Sequence, residues 1–336
     1  MKKKTIKINF KNFWEGFDPK NNFFTNLLRK KYKVEISDKP DYLFYSVYPE
    51  TSPRKDLSKK GDFIRKISPK LYILLRKIYS QINLLLQGKP LVPEGKFVKI
   101  FFGAEYTKPK MDECDWAFSS YFEEEINHPR YMRIPFCILN DFQLKNSGIP
   151  PIKKKINFKR IKKEKTKFCN FIYSQEIISR NNFFKELNKY KKIDAPGICM
   201  NNMAPIGSHL NARKSRASGI WVQEKLNFLK DYKFTIAFEN FYQPGWTTEK
   251  LTHPMLVNSI PIYFGHKDVN KEFNPKSFIN FNDFKNINEF IDYIIKVDKD
   301  DKLYEKILRE SWYKDNKQSK EFNEERILKR FIQIFG

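Results

Sequence analysis

At 336 residues with 40% hydrophobic side chains, the chain has interior enough for two folded domains and is too apolar to be disordered throughout. Its net charge of +25 attracts polyanions, whether nucleic acid, anionic lipid or phosphorylated substrate, without choosing among them. No stretch reaches membrane-spanning length, and the dispersed Cys114, Cys137, Cys169 and Cys199 form no C-x-x-C pair, which argues against zinc and for reduced thiols.

Taken in order, Ile6, Ile8 and Phe10 alternate with Lys7 and Asn9, which predicts an opening strand and not the apolar core of a signal peptide. A loop at 14–18 follows, and Phe23, Phe24, Leu27 and Leu28 then recur at helical spacing up to Lys31. Trp14 and Glu15, at a strand's end, are candidates to stack on and hydrogen-bond an acceptor sugar; core packing and capping is the alternative reading. Residues 42–47 form the next predicted strand. Within 54–89, Leu71, Leu74, Leu75, Ile78, Ile82 and Leu85 make one apolar stripe beside Lys70, Arg76 and Lys77. Such a basic amphipathic helix packs on its own domain or lies on an anionic membrane, and the first reading is preferred. Residues 97–102 are apolar except for Lys99, so Glu105 falls just past the carboxyl end of a strand, where open α/β sheets place their ligands. Strands are predicted at 115–118 and 131–134, and the adjacent Glu123, Glu124 and Glu125 read as a solvated loop.

From 150 to 167 the apolar periodicity lapses and lysines accumulate, which marks 153–167 as a basic interdomain linker. A nucleic-acid tract is the rival reading, but no aromatic residues interleave with the bases to form a stacking platform.

The second half alternates strand and helix: strand 168–173, helix 180–190, helix 222–230, strand 234–238, a helix from Thr247 or Thr248 to Leu256, and strand 260–264. Helices at 287–297 and 303–311 follow, and Phe322, Ile327, Leu328, Phe331 and Phe335 share roughly one face of a terminal segment, 321–336. This alternation predicts a parallel, doubly wound sheet. Loops 174–180, 239–246 and 265–267 leave the carboxyl ends of its strands, so Arg180, Asn240, Glu249 and Lys250 can converge in one crevice. Lys250 stands against the positive end of its helix dipole, at a cost of about 0.3–1 kcal/mol. A pyrophosphate in front of both would make sense of that placement, and a solvated surface lysine is the plainer reading.

The runs Phe238-Glu-Asn240, Thr248-Glu-Lys250, Ile260-Pro-Ile-Tyr-Phe-Gly265 and Phe273-Asn-Pro-Lys-Ser-Phe278 resemble the donor-binding signature of the α-1,3/4-fucosyltransferases of glycosyltransferase family 10, the bacterial members above all. Phe13-Trp-Glu-Gly-Phe17, Asn22-Phe-Phe-Thr25, Asp41-Tyr-Leu-Phe-Tyr-Ser46 and Phe102-Gly-Ala-Glu105 extend the resemblance over most of the chain. It implies a GT-B fold: two Rossmann-like α/β domains facing a cleft, with an acceptor-binding domain at 1–152 (54–89 an insertion) and a GDP-fucose-binding domain at 168–320. The helix at 321–336 would return to brace the first domain.

The implied reaction is inverting transfer of L-fucose from GDP-β-L-fucose to a GlcNAc hydroxyl of an oligosaccharide. By resemblance Glu105 is the general base, and Arg180 and Lys250 hold the pyrophosphate. Asn240, Trp246, Thr248 and Glu249 complete the donor site, Glu249 bonding either ribose hydroxyls or the fucose ring, and Glu239 either joins them or caps the loop; Trp246 stands where relatives often carry Tyr, which keeps a stacking surface and loses a hydroxyl. No obligatory metal is implied: Asp298-Lys-Asp-Asp301 reads as a turn after a helix, although Mn2+ or Mg2+ can stimulate family members. The expected setting is a bacterial cytoplasm with peripheral contact to an anionic inner membrane and no nucleic-acid partner. The competing readings are a GT-B transferase for another nucleotide sugar, a non-catalytic sugar-binding relative, and a polyanion- or membrane-surface-binding protein.

Overall fold

The computed structural model describes residues 3–14, 17–48, 92–141, 155–204, 206 and 220–336. Glu15, the expected insertion at 54–89 and the first two linker residues lie outside the described residues.

Two parallel sheets carry the chain. The first contains β1 (Thr5–Lys11), β2 (Lys33–Ile36), β3 (Tyr42–Tyr45), β4 (Val98–Gly103), β5 (Trp116–Ser119) and β6 (Tyr131–Arg133), in the order β2-β1-β3-β4-β5-β6. Its central strands are covered on both sides, as parallel strands usually are. Ile100 and Phe102 enter one apolar cluster with Phe24 and Phe118, while Phe101 joins Tyr45, Ala117 and Tyr131 on the opposite face. The second sheet contains β7 (Lys167–Asn170), β8 (Ile193–Asp194), β9 (Tyr232–Phe238), β10 (Ile260–Phe264) and β11 (Ile279–Asn280), in the order β11-β10-β9-β7-β8. In both sheets the strand order reverses beside the first strand, between β1 and β3 and between β7 and β9. Ligand crevices of open α/β sheets form at such points, outside the carboxyl ends of the strands.

The helices are α1 (Phe23–Leu28), α2 (Glu123–Ile126), α3 (Phe136–Asp141), α4 (Phe158–Glu164), α5 (Ile178–Tyr190), α6 (Ile220–Leu229), α7 (Glu249–Leu256), α8 (Ile287–Lys299), α9 (Asp301–Arg309) and α10 (Glu324–Phe335). The expected linker thus holds a short helix: Asn157 caps α4 and Ile161 is its buried residue, too little apolar content to show as a period. Lys165, after it, is buried and donates to the Lys230 and Val257 carbonyls at 2.5 and 2.6 Å, and burial lowers its pKa to about 8.

The acidic run at 123–125 is not the solvated loop its adjacency suggested. It forms the first turn of α2, where carboxylates are favoured. Glu123 also pairs with Arg326 and accepts the Arg133 N–H at 3.1 Å, partners too distant in sequence to be seen there.

The terminal helix returns to the first sheet. Asn323 caps α10, and Ile327, Phe331, Ile334 and Phe335 are buried in the core with Phe24, Phe44 and Phe118. Phe335 meets Tyr42 at 4.4 Å, and the Lys4 ammonium donates to the Phe335 carbonyl at 2.8 Å. The same cluster runs on into Leu251, Met255, Tyr263 and Phe278 of the second half, so the two sheets share a continuous apolar seam. Among the described residues no helix is long and apolar enough to cross a membrane.

Candidate active site

Arg180 is the most telling residue of the second half. It lies in the first turn of α5, just after the loop that follows β7, and is 1% exposed. Its guanidinium stacks on the Tyr173 ring at 3.6 Å. That ring is itself fixed, because the Tyr173 phenol oxygen accepts the Phe238 N–H at 2.7 Å and donates to the Ile236 carbonyl at 2.9 Å. Arg180 Nη1 donates to Asn240 Oδ1 at 3.0 Å and Nη2 to the Gln175 carbonyl at 2.5 Å; Asn240 closes the triangle by donating to Gln175 Oε1 at 3.1 Å. Among the described residues no carboxylate reaches Arg180 within ion-pair distance, and its Nε has no hydrogen-bond partner. Burial lowers its pKa. Leaving a buried cation without a counter-charge costs several kcal/mol, and a desolvated cation–π contact returns only about 2. The arrangement is short of an anion.

Glu239 and Asn240 follow β9 across the reversal point, and Glu239 ties this site to α7. Glu239 Oε1 accepts the Thr248 N–H at 2.8 Å, and Oε2 accepts from Thr248 Oγ1 at 2.8 Å and from the Lys250 ammonium at 3.4 Å. Thr248 Oγ1 also accepts the Lys250 N–H, so Thr248 is the N-cap of α7 and Glu239 is the cap of the cap. Burial raises the Glu239 pKa against the pull of Lys250 and the Thr248 amide. Part of the unease of a lysine at this dipole is therefore answered inside the protein, by a carboxylate beneath it. Glu249 is partly exposed beside Lys225 at 3.9 Å. Burial pushes its pKa up, but Lys225, Lys250 and His253 outweigh that and hold it at about 2. His253, buried in the same helix, is held down at about 3 by burial and by Lys225. Among the described residues, Lys225 stands beside Glu249 and Lys250 beside Glu239, while Arg180 has no carboxylate within ion-pair distance.

Trp246 is not the open stacking surface expected from the sequence. It is 3% exposed, wedged between Phe136 at 5.0 Å and the edge of Tyr106 at 5.9 Å, with its indole N–H unpartnered among the described residues. The loop's open aromatic faces are Phe241 and Tyr242, 41% and 47% exposed. Gly245 explains the burial. Its φ is +73°, and a Cβ there would come within 2.3 Å of the Ser120 carbonyl oxygen, so the loop is pressed flat against the first half.

Glu105 stands on that first half, after β4. Its φ of +56° is left-handed, a conformation costing a non-glycine residue roughly 1–2 kcal/mol. A Thr107 N–H to Glu105 carbonyl bond of 2.9 Å holds the turn. Gly103 allows it, since a Cβ there would meet Ser119 Cβ and the Thr107 carbonyl at 2.7 Å. Glu105 is partly exposed and accepts the Tyr48 phenol at 2.7 Å through Oε1. Trp14 is partly buried, with its ring 5.1 Å from Phe17 and 6.4 Å from Tyr48. Through Tyr106 and Trp246 the Glu105 turn abuts the loop that carries Glu239 and Asn240.

Arg180, Glu239, Asn240, Thr248, Glu249 and Lys250 are thus linked on the second half, and the Glu105 turn adjoins their loop through Tyr106 and Trp246. Tyr173, Gln175, Lys225 and Tyr48 belong to the site and are absent from the sequence reading. Tyr173 is hidden in an apolar run, Lys225 in an ordinary amphipathic helix, and Tyr48 just past a strand's end. Among the described residues no three His, Cys, Asp or Glu side chains converge as metal ligands. Asp298 is instead a buried acceptor for Lys233 at 2.6 Å and Tyr190 at 2.9 Å, and Asp300 caps α9.

The family model described as glycosyltransferase family 10 (fucosyltransferase) C-term matches residues 162–333, and that of the alpha-(1,3)-fucosyltransferase FucT N-terminal domain matches 8–57. The chain is 36% identical over 162 residues to a putative fucosyltransferase, R654, of Acanthamoeba polyphaga mimivirus, covering 48% of this chain and 26% of that protein. It is 29% identical over 261 residues to the alpha-(1,3)-fucosyltransferase FucT of Helicobacter pylori, covering 68% and 51%. The chain therefore spans between a quarter and a half of the length of these curated relatives. A crystal structure of an alpha1,3-fucosyltransferase is similar with TM-score 0.67 at 24% identity, over 99% of this chain and 90% of that one. A crystal structure of an alpha1,3-fucosyltransferase with GDP-fucose gives 0.64 at 22%, over 99% and 91%. The two-sheet architecture with its returning helix is the GT-B fold. With its C-terminal half matched throughout, the chain belongs to glycosyltransferase family 10, the fucosyltransferases.

Proposed function

We propose that the chain is an inverting transferase that moves L-fucose from GDP-β-L-fucose to a GlcNAc hydroxyl of an oligosaccharide, in α-1,3 rather than α-1,4 linkage. The acceptor is an N-acetyllactosamine or Lewis-type glycan, or a lipopolysaccharide O-antigen. Residues 1–152 hold this acceptor, and 168–320 hold the donor. One observation carries the reading: the buried Arg180 guanidinium, with no carboxylate partner among the described residues, at the strand-order reversal and linked to Lys250 through the adjacent Asn240 and Glu239. A diphosphate is the anion such a site accommodates. Family membership and the GDP-fucose bound in a structurally similar protein support the choice of donor.

In this reading the acceptor hydroxyl attacks fucose C1 on the face opposite the phosphate. The new C1–O bond forms as the C1–O(phosphate) bond breaks, and the hydroxyl proton passes to Glu105. The departing GDP keeps the bonding electron pair. Its added charge is met by Arg180, Lys250 and the N-terminus of α7. Asn240 orients Arg180, the Glu239–Thr248 pair orients Lys250, and Glu249 accepts from a ribose or fucose hydroxyl. A Mn2+ or Mg2+ ion would add to positive charge that these side chains already supply.

The test is GDP release and product analysis with GDP-fucose, GDP-mannose and a panel of type-1 and type-2 disaccharides. Fucose transfer is expected, with Glu105→Gln losing roughly 10²–10⁴-fold in kcat while still binding GDP, and Lys250→Ala losing about tenfold or more in donor affinity. Transfer of mannose alone would overturn the choice of donor, and parent-rate transfer by Glu105→Gln the choice of base.

A further inference from the structure

In the first sheet β3 and β4 are hydrogen-bonded neighbours, and the two polar side chains just beyond their carboxyl ends meet. Tyr48 leaves β3, Glu105 leaves β4, and the phenol donates to Glu105 Oε1 across 2.7 Å. Both ends of this contact are anchored. The Tyr48 N–H donates to the Asn12 carbonyl at 2.9 Å, which ties the end of β3 to the end of β1, and the Tyr48 ring meets Trp14 edge-on. Glu105 is set by its left-handed backbone and the Thr107 turn.

A partly exposed carboxylate otherwise rotates freely and presents two equivalent oxygens, so a base built on it lacks direction. We propose that Tyr48 is a positioning residue for the transfer: by donating to Oε1 it fixes the rotation of the Glu105 carboxylate and leaves Oε2 to take the acceptor's proton. The chemistry suits a tyrosine. A phenol keeps its proton far above the range in which carboxyl groups lose theirs, so Tyr48 donates and does not compete for the incoming proton. Once Oε2 is protonated, Oε1 is a carbonyl-type oxygen that still accepts, and the Tyr48 contact survives both protonation states without rearrangement. Donation from the phenol draws electron density from Oε1, which leaves Oε2 the more basic of the two oxygens.

This inference rests on Glu105 being the base, and the experiment separates the two. Tyr48→Phe and Glu105→Gln are compared with the parent in steady-state fucose transfer, with GDP binding by calorimetry and fold by circular dichroism. Tyr48→Phe, which keeps the ring and loses only the donor, is expected to lower kcat roughly tenfold. KM for GDP-fucose and the affinity for GDP stay within about twofold, because nothing on the donor side has changed. Parent-rate kcat in Tyr48→Phe overturns the inference and leaves the base assignment standing. Loss of GDP affinity in a folded Tyr48→Phe also overturns it, since the phenol would then serve the donor site. Parent-rate turnover by Glu105→Gln removes the base, and the positioning role goes with it.

Discussion

Arg180 is a residue whose cost is visible without its ligand. Its guanidinium is buried, stacked on Tyr173, and met by an amide oxygen and a backbone carbonyl where an ordinary buried arginine meets a carboxylate. Arg133, the other arginine among the largest fully buried side chains, shows the contrast, with Glu272 bound through both of its terminal nitrogens. Removing Arg180's charge should therefore relieve the empty protein and ruin the loaded one. Arg180→Met is expected to leave the urea midpoint unchanged, or to raise stability by about 1 kcal/mol. GDP in excess should protect the parent against thermal unfolding and the variant little, because stabilisation by a ligand scales with its affinity. A variant that is both less stable and still protected would mean that the guanidinium has a structural partner and no role in holding an anion. The sequence pointed to Arg180 through the convergence of strand-end loops and the family resemblance, and to Lys250 through its helix-start motif; Arg180 lies in the first turn of α5 and Lys250 in that of α7. It could not show Tyr173 or Gln175, because what makes them part of the site is a ring face and a carbonyl, and neither leaves a mark on residue type.

At the scale of elements, α7 and the loop before it form one device. Thr248 caps the helix, Glu239 holds Thr248 and Lys250, and Glu249 and His253 lie one turn apart beside Lys225. The cluster makes the fold acid-sensitive in two stages. His253 is held near 3 against an ordinary 6.5, so the unfolded chain takes up its proton first, and stability is lost as pH falls from 6.5 towards 3. Glu249, held near 2 against 4.5, adds a second loss from pH 4.5 downward. Urea midpoints are expected to be level in this respect above pH 6.5 and to fall below it, with His253 accounting for about 2 kcal/mol by pH 5. His253→Gln should flatten the first stage and weaken the second, which Lys225 and Lys250 then sustain without His253. An unchanged slope between pH 6.5 and 4.5 in that variant would show that His253 is not buried neutral. Elements of this kind were legible: β10 runs over Ile260–Phe264 as its apolar run predicts, and Thr248 caps α7. The short strands β2, β8 and β11 were not. Two to four residues carry no period, and only the neighbouring strand makes them strands.

At the scale of the molecule, the question is what holds the two sheets at a fixed distance, since the proposed base and the proposed leaving-group site stand on opposite sides. Arg133, at the end of β6, binds Glu272 of the second half in a buried, two-pronged pair. It also donates to the Ser120 carbonyl on its own side at 2.9 Å and to the Gly245 carbonyl across the seam at 3.1 Å. The Cys137 N–H donates to the Thr247 carbonyl at 3.1 Å, and Phe136 packs on Trp246, so the loop carrying Glu239 and Asn240 is bolted to the first half at several points. None of this was readable from sequence: Arg133 and Glu272 are 139 residues apart, and each alone looks like a surface charge. A buried pair of this kind is costly to break and less costly to remove. Arg133→Met leaves the Glu272 carboxylate buried and unmatched, at about 3–5 kcal/mol, and Glu272→Met strands the guanidinium to similar effect. The double variant loses both charges together and retains only the penalty for the Ser120 and Gly245 carbonyls, about 1–3 kcal/mol for each group left without a donor. Urea denaturation of the four proteins in a double-mutant cycle should therefore give a coupling energy of at least about 2 kcal/mol. Additive losses would mean that the seam is held by its apolar core alone and that Arg133 merely fills space within it.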